Sequence, residues 1–343
     1  MKKVCIIGAG SWGTAQAILL STNAERVVLW GRKEDGVEVI ERRRENERFL
    51  PGVKLPSNIE VSKDMSYALS DADLIVLAVP AQAVRKVTKM MADYLENRSY
   101  LVITAKGIET ATGMRMSQVV EDVLGKEIKK RLAVLSGPSH AEEVARKVPT
   151  VVTVAAFNRE TAFYVQDAFM TSFFRVYTNP DVAGVELGGA LKNIIALAAG
   201  VVQGLNYGDN TKAALITRGL TEITRMGVAL GGDSRTFSGL SGIGDLVVTC
   251  GSRYSRNLRA GELIARGYSL DEVLERIGMV VEGVHTTRIV HHLACEMNIE
   301  MPITHACYNI LYNGKRPEEE LENVMNRRKK HEIEDIVHDI EGW

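Results

Sequence analysis

Val4-Cys5-Ile6-Ile7-Gly8-Ala9-Gly10-Ser11-Trp12-Gly13 opens the chain with a short apolar run that ends in a glycine turn. Such a run, stopped by glycine, reads as a buried strand. The Met1-Lys2-Lys3 start resembles the charged head of a signal peptide, but the apolar segment breaks too early for one. A helix is expected over Thr14–Ser21. Strand, G-x-G-x-x-G and helix in this order is the context in which the glycines carry meaning. Gly8 permits the tight turn, Gly10 lets backbone amides approach a pyrophosphate, and Gly13 allows helix and sheet to pack closely. Free N–H groups at the helix start then face the phosphates. The alternative is a glycine turn that binds nothing.

Working outward, Val27–Trp30, Leu74–Val79, Leu101–Thr104, Ala133–Leu135 and Val151–Ala155 read as further strands, with helix-like segments such as Ala83–Tyr94 between several of them. This alternation predicts a parallel, doubly wound Rossmann-type α/β domain over residues 1–184. From Val185 strand-like runs become scarce. Leu191–Val202, Thr211–Leu230, Arg256–Arg266, Ser269–Ile277 and Thr286–Met297 carry helical spacing, which predicts an all-helical domain over 185–343. Pro317, followed by three glutamates, reads as one more helix start.

Composition sets the limits. The chain has 343 residues, 45% hydrophobic and 25% charged, which suits two water-soluble globular domains. Its 42 basic and 43 acidic residues balance, so no global field recruits nucleic acid or an anionic membrane. The run Arg327-Arg328-Lys329-Lys330 reads as a solvated face. The longest later apolar stretch, Ile194–Val202, falls short of the ~20 residues a bilayer span needs. Four cysteines without a CxxC pair or metal-like clustering fit reduced thiols in the cytoplasm.

At the end of the second strand an NAD-selective site usually places an acid. Here Gly31 is followed by Arg32 and Lys33, which suit a 2′-phosphate and favour NADP(H), unless both are merely solvated loop charges. Four further segments hold polar groups where neutral ones would pack more easily. Lys106 follows a strand end, where doubly wound sheets bind ligands. Ser139, after Gly137, is a plausible helix N-cap with Glu142 completing a capping box. Lys192 and Asn193 interrupt a buried-looking helix, so Lys192 is either a desolvated acid/base or a side chain snorkelling outwards. Asp245 sits in a glycine-punctuated loop, and Arg256 with Asn257 offers a fork of donors fit for phosphate.

Taken together, GAGSWGTAQA at 8–17, FLPGVKLPSNI at 49–59, AVPAQAVR at 78–85, TAKGIE at 104–109 and LSGPSHAEEVA at 135–145 form a pattern. NPDVAGVELGGALKNIIALAAGVVQGL at 179–205, GLSGIGDLVVTCGSRYSRN at 239–257 and VVEGVHT at 280–286 extend it. The whole resembles the biosynthetic, bacterial type of NAD(P)-dependent glycerol-3-phosphate dehydrogenase. The resemblance implies a C-terminal domain similar to that of 6-phosphogluconate dehydrogenase, a homodimer without integral membrane association, and NADP or NAD as cofactor with no metal. It implies reduction of dihydroxyacetone phosphate to sn-glycerol 3-phosphate for phospholipid synthesis. Lys192 would be the acid/base, with Lys106, Asp245 and Thr249 orienting substrate and proton. Gly137, Ser139, Ser255, Arg256 and Asn257 would bind the substrate. Gly8, Gly10, Ser11, Trp12, Gly13, Arg32, Lys33, Phe49, Lys106, Ala141, Arg256, Val280 and Glu282 would contact the cofactor. Competing readings are a different hydroxyacid or phosphosugar dehydrogenase, and a non-catalytic NADP-binding sensor. The sensor reading leaves Lys106, Lys192 and Asp245 without a shared task.

Overall fold

The computed structural model describes residues 1–96, 98–329 and 331–332. Eight strands form one sheet: β1 (Lys3–Ile7), β2 (Arg26–Trp30), β3 (Ile59–Ser62), β4 (Leu74–Leu77), β5 (Tyr100–Ile103), β6 (Leu132–Ser136), β7 (Thr150–Ala156) and β8 (Phe174–Asn179). Their spatial order is β3-β2-β1-β4-β5-β6-β7-β8. The order reverses at β1, so the crevice between the carboxyl ends of β1 and β4 is the switch point where such sheets bind ligands.

Alternation along each strand builds two cores. On β1, Val4 and Ile6 pack on one face and Cys5 and Ile7 on the other, all fully buried. Strands buried on both faces read as unbroken apolar runs, which is why β1, β4 and β5 were legible. β3 and β8 were not: IEVS and FRVYTN mix polar and apolar residues because they form the two edges.

The parallel sheet expected from the alternation is present over β1 to β6, and the remaining two strands depart from it. β7 pairs antiparallel with β6, and β8 runs parallel to β7, so the last two strands oppose the other six. The link from Ser136 to Thr150 holds only the short helix Ala141–Ala145. The chain thus turns back on itself instead of crossing over to a parallel neighbour, and strand patterning alone does not reveal direction.

A third core is helical and surrounds Val182–Gly204, a helix of 23 residues of which 20 are buried. Its most apolar window has a mean hydropathy of 1.6, enough in length and composition to cross a membrane, yet that window is entirely buried inside the protein. It therefore exceeds the apolar run read from sequence, and its surroundings are other helices. Asp209–Ala229, Asp245–Gly251, Arg256–Ala265, Glu282–Glu296 and Pro302–Tyr312 pack around it. Pro317–Met325 forms a helix as expected, and Arg327 pairs with Glu300. Lys330 and the tail from 333 lie outside the described residues.

A buried ion pair helps dock the helical core against the sheet. Glu186 accepts hydrogen bonds from Arg115 Nη1 (2.6 Å), Ser117 N (2.7 Å) and Ser117 Oγ (2.5 Å). These bonds tie the first turns of Val182–Gly204 to the helix Met116–Leu124 beside the sheet.

Candidate active site

The glycine turn after β1 adopts the conformation its sequence demands. Gly8 has φ +119°, a value closed to other residues without strain, and a Cβ on Gly13 would lie 1.8 Å from the Gly8 carbonyl oxygen. Gly10, by contrast, opens onto free space and caps the helix Ser11–Leu20 with no side-chain partner. Asn46 braces the turn, donating to Ala9 O (2.9 Å) and Thr14 Oγ1 (2.8 Å), while its own carbonyl accepts from Phe49 N (3.3 Å). Phe49 is thereby held beside the turn.

Arg32 and Lys33 follow β2 at the same end of the sheet. Arg32 is engaged with Asp35, through Nη2 to Oδ1 (2.8 Å) and backbone N to Oδ2 (2.8 Å), and its side chain is 66% exposed.

Across the cleft, the central helix and the segment 240–251 assemble a charged cluster. Lys192, Asp245 and Thr249 are 6%, 1% and 4% exposed. Lys192 Nζ donates to Asp245 Oδ1 (2.5 Å) and Thr249 Oγ1 (2.7 Å). Thr249 Oγ1 is itself spent as a donor to the Asp245 carbonyl (2.6 Å), so it meets Lys192 as an acceptor. Lys106 Nζ reaches from beyond β5 to the other carboxylate oxygen of Asp245 (2.6 Å) and to Gly137 O (2.9 Å). Lys192 does not snorkel: its ammonium lies at the centre of this cluster.

Two readings of local structure change. Asp245 is the first residue of a helix preceded by a π-turn over Leu240–Gly244, so a helix end aims it, not a loop. Ser139 is not an N-cap; its hydroxyl donates to Gly137 O (2.9 Å), and His140 precedes the helix Ala141–Ala145.

Electrostatics follow from this packing. Burial pushes Lys192 down to about 8, with the Lys106 charge adding and Asp245 opposing. Burial alone would raise the Asp245 carboxyl, but Lys106 and Lys192 outweigh it and hold it below the usual range. The cluster also contains a residue that sequence reasoning passed over. Burial, reinforced by Lys192 and Lys106, pushes the His140 imidazole down to about 4, and its Nε2 has no protein partner. His140 stood in the quoted 135–145 segment, but a histidine one residue from a helix start carries no spacing signal of its own.

A second polar cluster adjoins the first. Asn193 Nδ2 donates to Lys106 O (3.2 Å), and Asn257 Nδ2 donates to Asn193 Oδ1 (2.8 Å) while Asn257 Oδ1 accepts from Gly283 N (2.9 Å). Ser255 caps the helix Arg256–Ala265. Arg256 donates to Val280 O (2.8 Å), and burial lowers its guanidinium from the usual value, with Glu282 and Glu142 pulling the other way. Glu282 accepts from Ala81 N (2.9 Å), while its buried Oε2 has no protein partner. Burial pushes the Glu282 carboxyl up.

These parts fit a dinucleotide. An uncapped helix start, open space at Gly10, and the orphaned Trp12 Nε1 and Glu282 Oε2 are polar features that a bound nucleotide can satisfy.

Comparison with known proteins agrees in both halves. Residues 3–162 match the family model for the NAD-dependent glycerol-3-phosphate dehydrogenase N-terminus, and 181–322 match that for its C-terminus. A glycerol-3-phosphate dehydrogenase [NAD(P)+] of Syntrophomonas wolfei is 63% identical over 343 residues, covering all of both chains. The Bacillus subtilis protein of the same name is 50% identical over all of this chain and 99% of its own. A crystal structure of the Coxiella burnetii glycerol-3-phosphate dehydrogenase superposes with a TM-score of 0.90 at 36% identity, covering 95% of this chain and 99% of that one.

Proposed function

The chain belongs to the NAD-dependent glycerol-3-phosphate dehydrogenase family, and on that premise we propose that it reduces dihydroxyacetone phosphate reversibly to sn-glycerol 3-phosphate. NADPH is the favoured cofactor and NADH the alternative; when bound, either supplies the hydride. The product feeds glycerophospholipid synthesis.

The observation that carries the reading is the geometry of Lys192. An ammonium has three donors. Asp245 and Thr249 take two of them, which leaves one for a substrate oxygen. Lys192 gives its proton to the carbonyl oxygen as that oxygen gains negative charge, and takes it back from the hydroxyl in the reverse direction. A value of about 8 lets the same group serve both roles near neutrality. Asp245 and Thr249 hold the ammonium in one orientation, and Lys106 keeps Asp245 ionised. Arg256 commits one of its five donors to Val280, so the rest of its fork is available to the substrate phosphate. Asn257 adds one further N–H, and Gly137, Ser139 and Ser255 line the same pocket. Anchoring the phosphate away from the reacting carbon uses remote binding energy to position it. Gly8–Gly13, Arg32, Lys33, Phe49, Ala141, Val280 and Glu282 hold the cofactor.

We divide the domains at residues 184 and 185, just after the central helix begins, and assign the enzyme to the cytoplasm as a homodimer. All four cysteines are free thiols, which fits a reducing compartment. Turnover of NADPH and NADH should be followed with dihydroxyacetone phosphate, and with dihydroxyacetone as the phosphate-free control. Turnover that requires the phosphate supports the reading. Folded, NADPH-binding protein that turns over neither substrate overturns it.

A further inference from the structure

Outside the catalytic cleft, the helices Glu282–Glu296 and Pro302–Tyr312 bring two imidazoles and a thiol together. His291 and Cys295 are four residues apart and share a helix face. His305 approaches from the neighbouring helix, its Nδ1 2.7 Å from His291 Nδ1. Cys295 Sγ lies 4.0 Å from His291 Nε2, and one donor atom from each of the three residues falls within 4.8 Å of the others. We propose that His291, Cys295 and His305 bind a divalent transition metal such as zinc, clamping the two helices together.

The geometry is close to what such an ion requires. Zn–N bonds of about 2.0–2.1 Å and Zn–S bonds of about 2.3 Å place tetrahedral donors roughly 3.3–3.8 Å apart. His291 gives the ion one ring nitrogen: with Nδ1 as the ligand, its separation from His305 Nδ1 must widen from 2.7 Å, and Cys295 Sγ, which faces Nε2 at 4.0 Å, must rotate towards the Nδ1 edge. Two ring nitrogens in hydrogen-bond contact also require one to be an unprotonated acceptor, the form that ligates. The His291 ring is already fixed: Tyr308 stacks on it with centroids 3.7 Å apart and planes 4° from parallel. His291 and His305 are half-buried while Cys295 is exposed, so a fourth position opens to solvent. Imidazole and thiolate donors select zinc, cobalt or nickel over magnesium or calcium. Binding releases the Cys295 thiol proton to solvent. Counting cysteines alone misses the site, because its donors are a His-x₃-Cys pair and a histidine from the next helix.

The site lies about 13 Å along its helix from Glu282, at 1.5 Å per residue, so it is a structural clamp and not part of the hydride chemistry. The test is cobalt titration of chelator-stripped full-length protein. The expected result is saturation at one ion per chain, with tetrahedral visible bands and a near-ultraviolet thiolate-to-cobalt band, both displaced by zinc. Cys295→Ser removes the near-ultraviolet band, and His305→Ala weakens binding at least tenfold. Zinc raises the melting temperature of the parent protein more than that of either variant. Since Cys295 is exposed, its serine variant folds irrespective of the fate of His305→Ala. A cobalt spectrum unchanged by Cys295→Ser, or no saturable binding by the parent protein, overturns the proposal.

Discussion

The two ends of the cleft solve their problems with different parts of the chain. At the glycine turn the working surface is backbone: free N–H groups, a positive φ at Gly8, and space where Gly10 has no side chain. At Lys192 it is buried charge, and each charge is paired with another: Lys192 and Lys106 share the two oxygens of Asp245. The backbone site gains its complement only from a nucleotide, and the orphaned Trp12 Nε1 and Glu282 Oε2 each cost about 1–3 kcal/mol without one. In the charged cluster Asp245 holds both lysines, so its cationic acid is in place before substrate arrives. A change in the first region should therefore show in cofactor affinity. In the second it should show in turnover.

The strongest way to break that contrast is Lys192→Met. Loss of a positioned acid typically costs about 100- to 10,000-fold in kcat. Asp245 remains paired with Lys106, so the carboxylate keeps one cation, while Asp245 Oδ1 and Thr249 Oγ1 lose the donor that Lys192 gave them. The expected outcome is a folded variant with collapsed kcat and unchanged NADPH affinity. Undiminished kcat would remove Lys192 from the chemistry.

Arg256→Ala comes next. Truncating one partner of a buried, charge-assisted contact costs about 2–5 kcal/mol, a roughly 30-fold or greater loss of kcat/KM for dihydroxyacetone phosphate. The residual turnover of phosphate-free dihydroxyacetone, small in the parent, should be unchanged. An equal loss with both substrates would place Arg256 on the cofactor side of the comparison.

The same two regions differed in how far they could be read. The glycine turn and β1 were legible because a backbone site leaves its mark in residue type: only glycine serves at Gly8, and only apolar residues suit a strand covered on both sides. Lys192 was conspicuous as a charge on an apolar helix, but its direction was not. A lysine that snorkels and one that points inward share a sequence, and the outcome depends on Asp245, 53 positions away. The Ser139 reading failed for a related reason. Its hydroxyl had two acceptable uses, and the Gly137 carbonyl won over the helix start. The reversal at β7 was invisible because a strand buried on both faces looks the same in either direction. Glu186, which docks the helical core to Arg115 and Ser117, stood inside a quoted segment without a partner that spacing could supply.

A pH profile sharpens the contrast at the substrate end. Reduction needs protonated Lys192, so kcat/KM for the ketone should fall about tenfold per unit above a break near 8, where burial has moved this lysine. Oxidation needs the neutral amine and should rise through the same break. His140, held down to about 4, stays neutral across this range and contributes no second break there. A profile in the oxidative direction that stays flat from 6.5 to 9.5 would contradict the assignment.

The smallest effect tests the cofactor end. Arg32 stands where a 2′-phosphate would be met, but Asp35 already accepts from its guanidinium and its backbone N–H. An exposed pair of this kind is worth about 0–1 kcal/mol, so a phosphate must outbid it by a margin of no more than roughly fivefold. Arg32→Ala should therefore move the NADPH-to-NADH ratio of kcat/KM towards NADH by a few-fold. Asp35→Asn keeps an acceptor for the backbone N–H while releasing the guanidinium, and should move the ratio towards NADPH by a similar factor. Both variants should leave the KM for dihydroxyacetone phosphate unchanged, because neither touches the Lys192 cluster. A ratio insensitive to both changes would make Arg32 a surface cation. Selectivity would then have to come from Lys33, the other cation that follows β2.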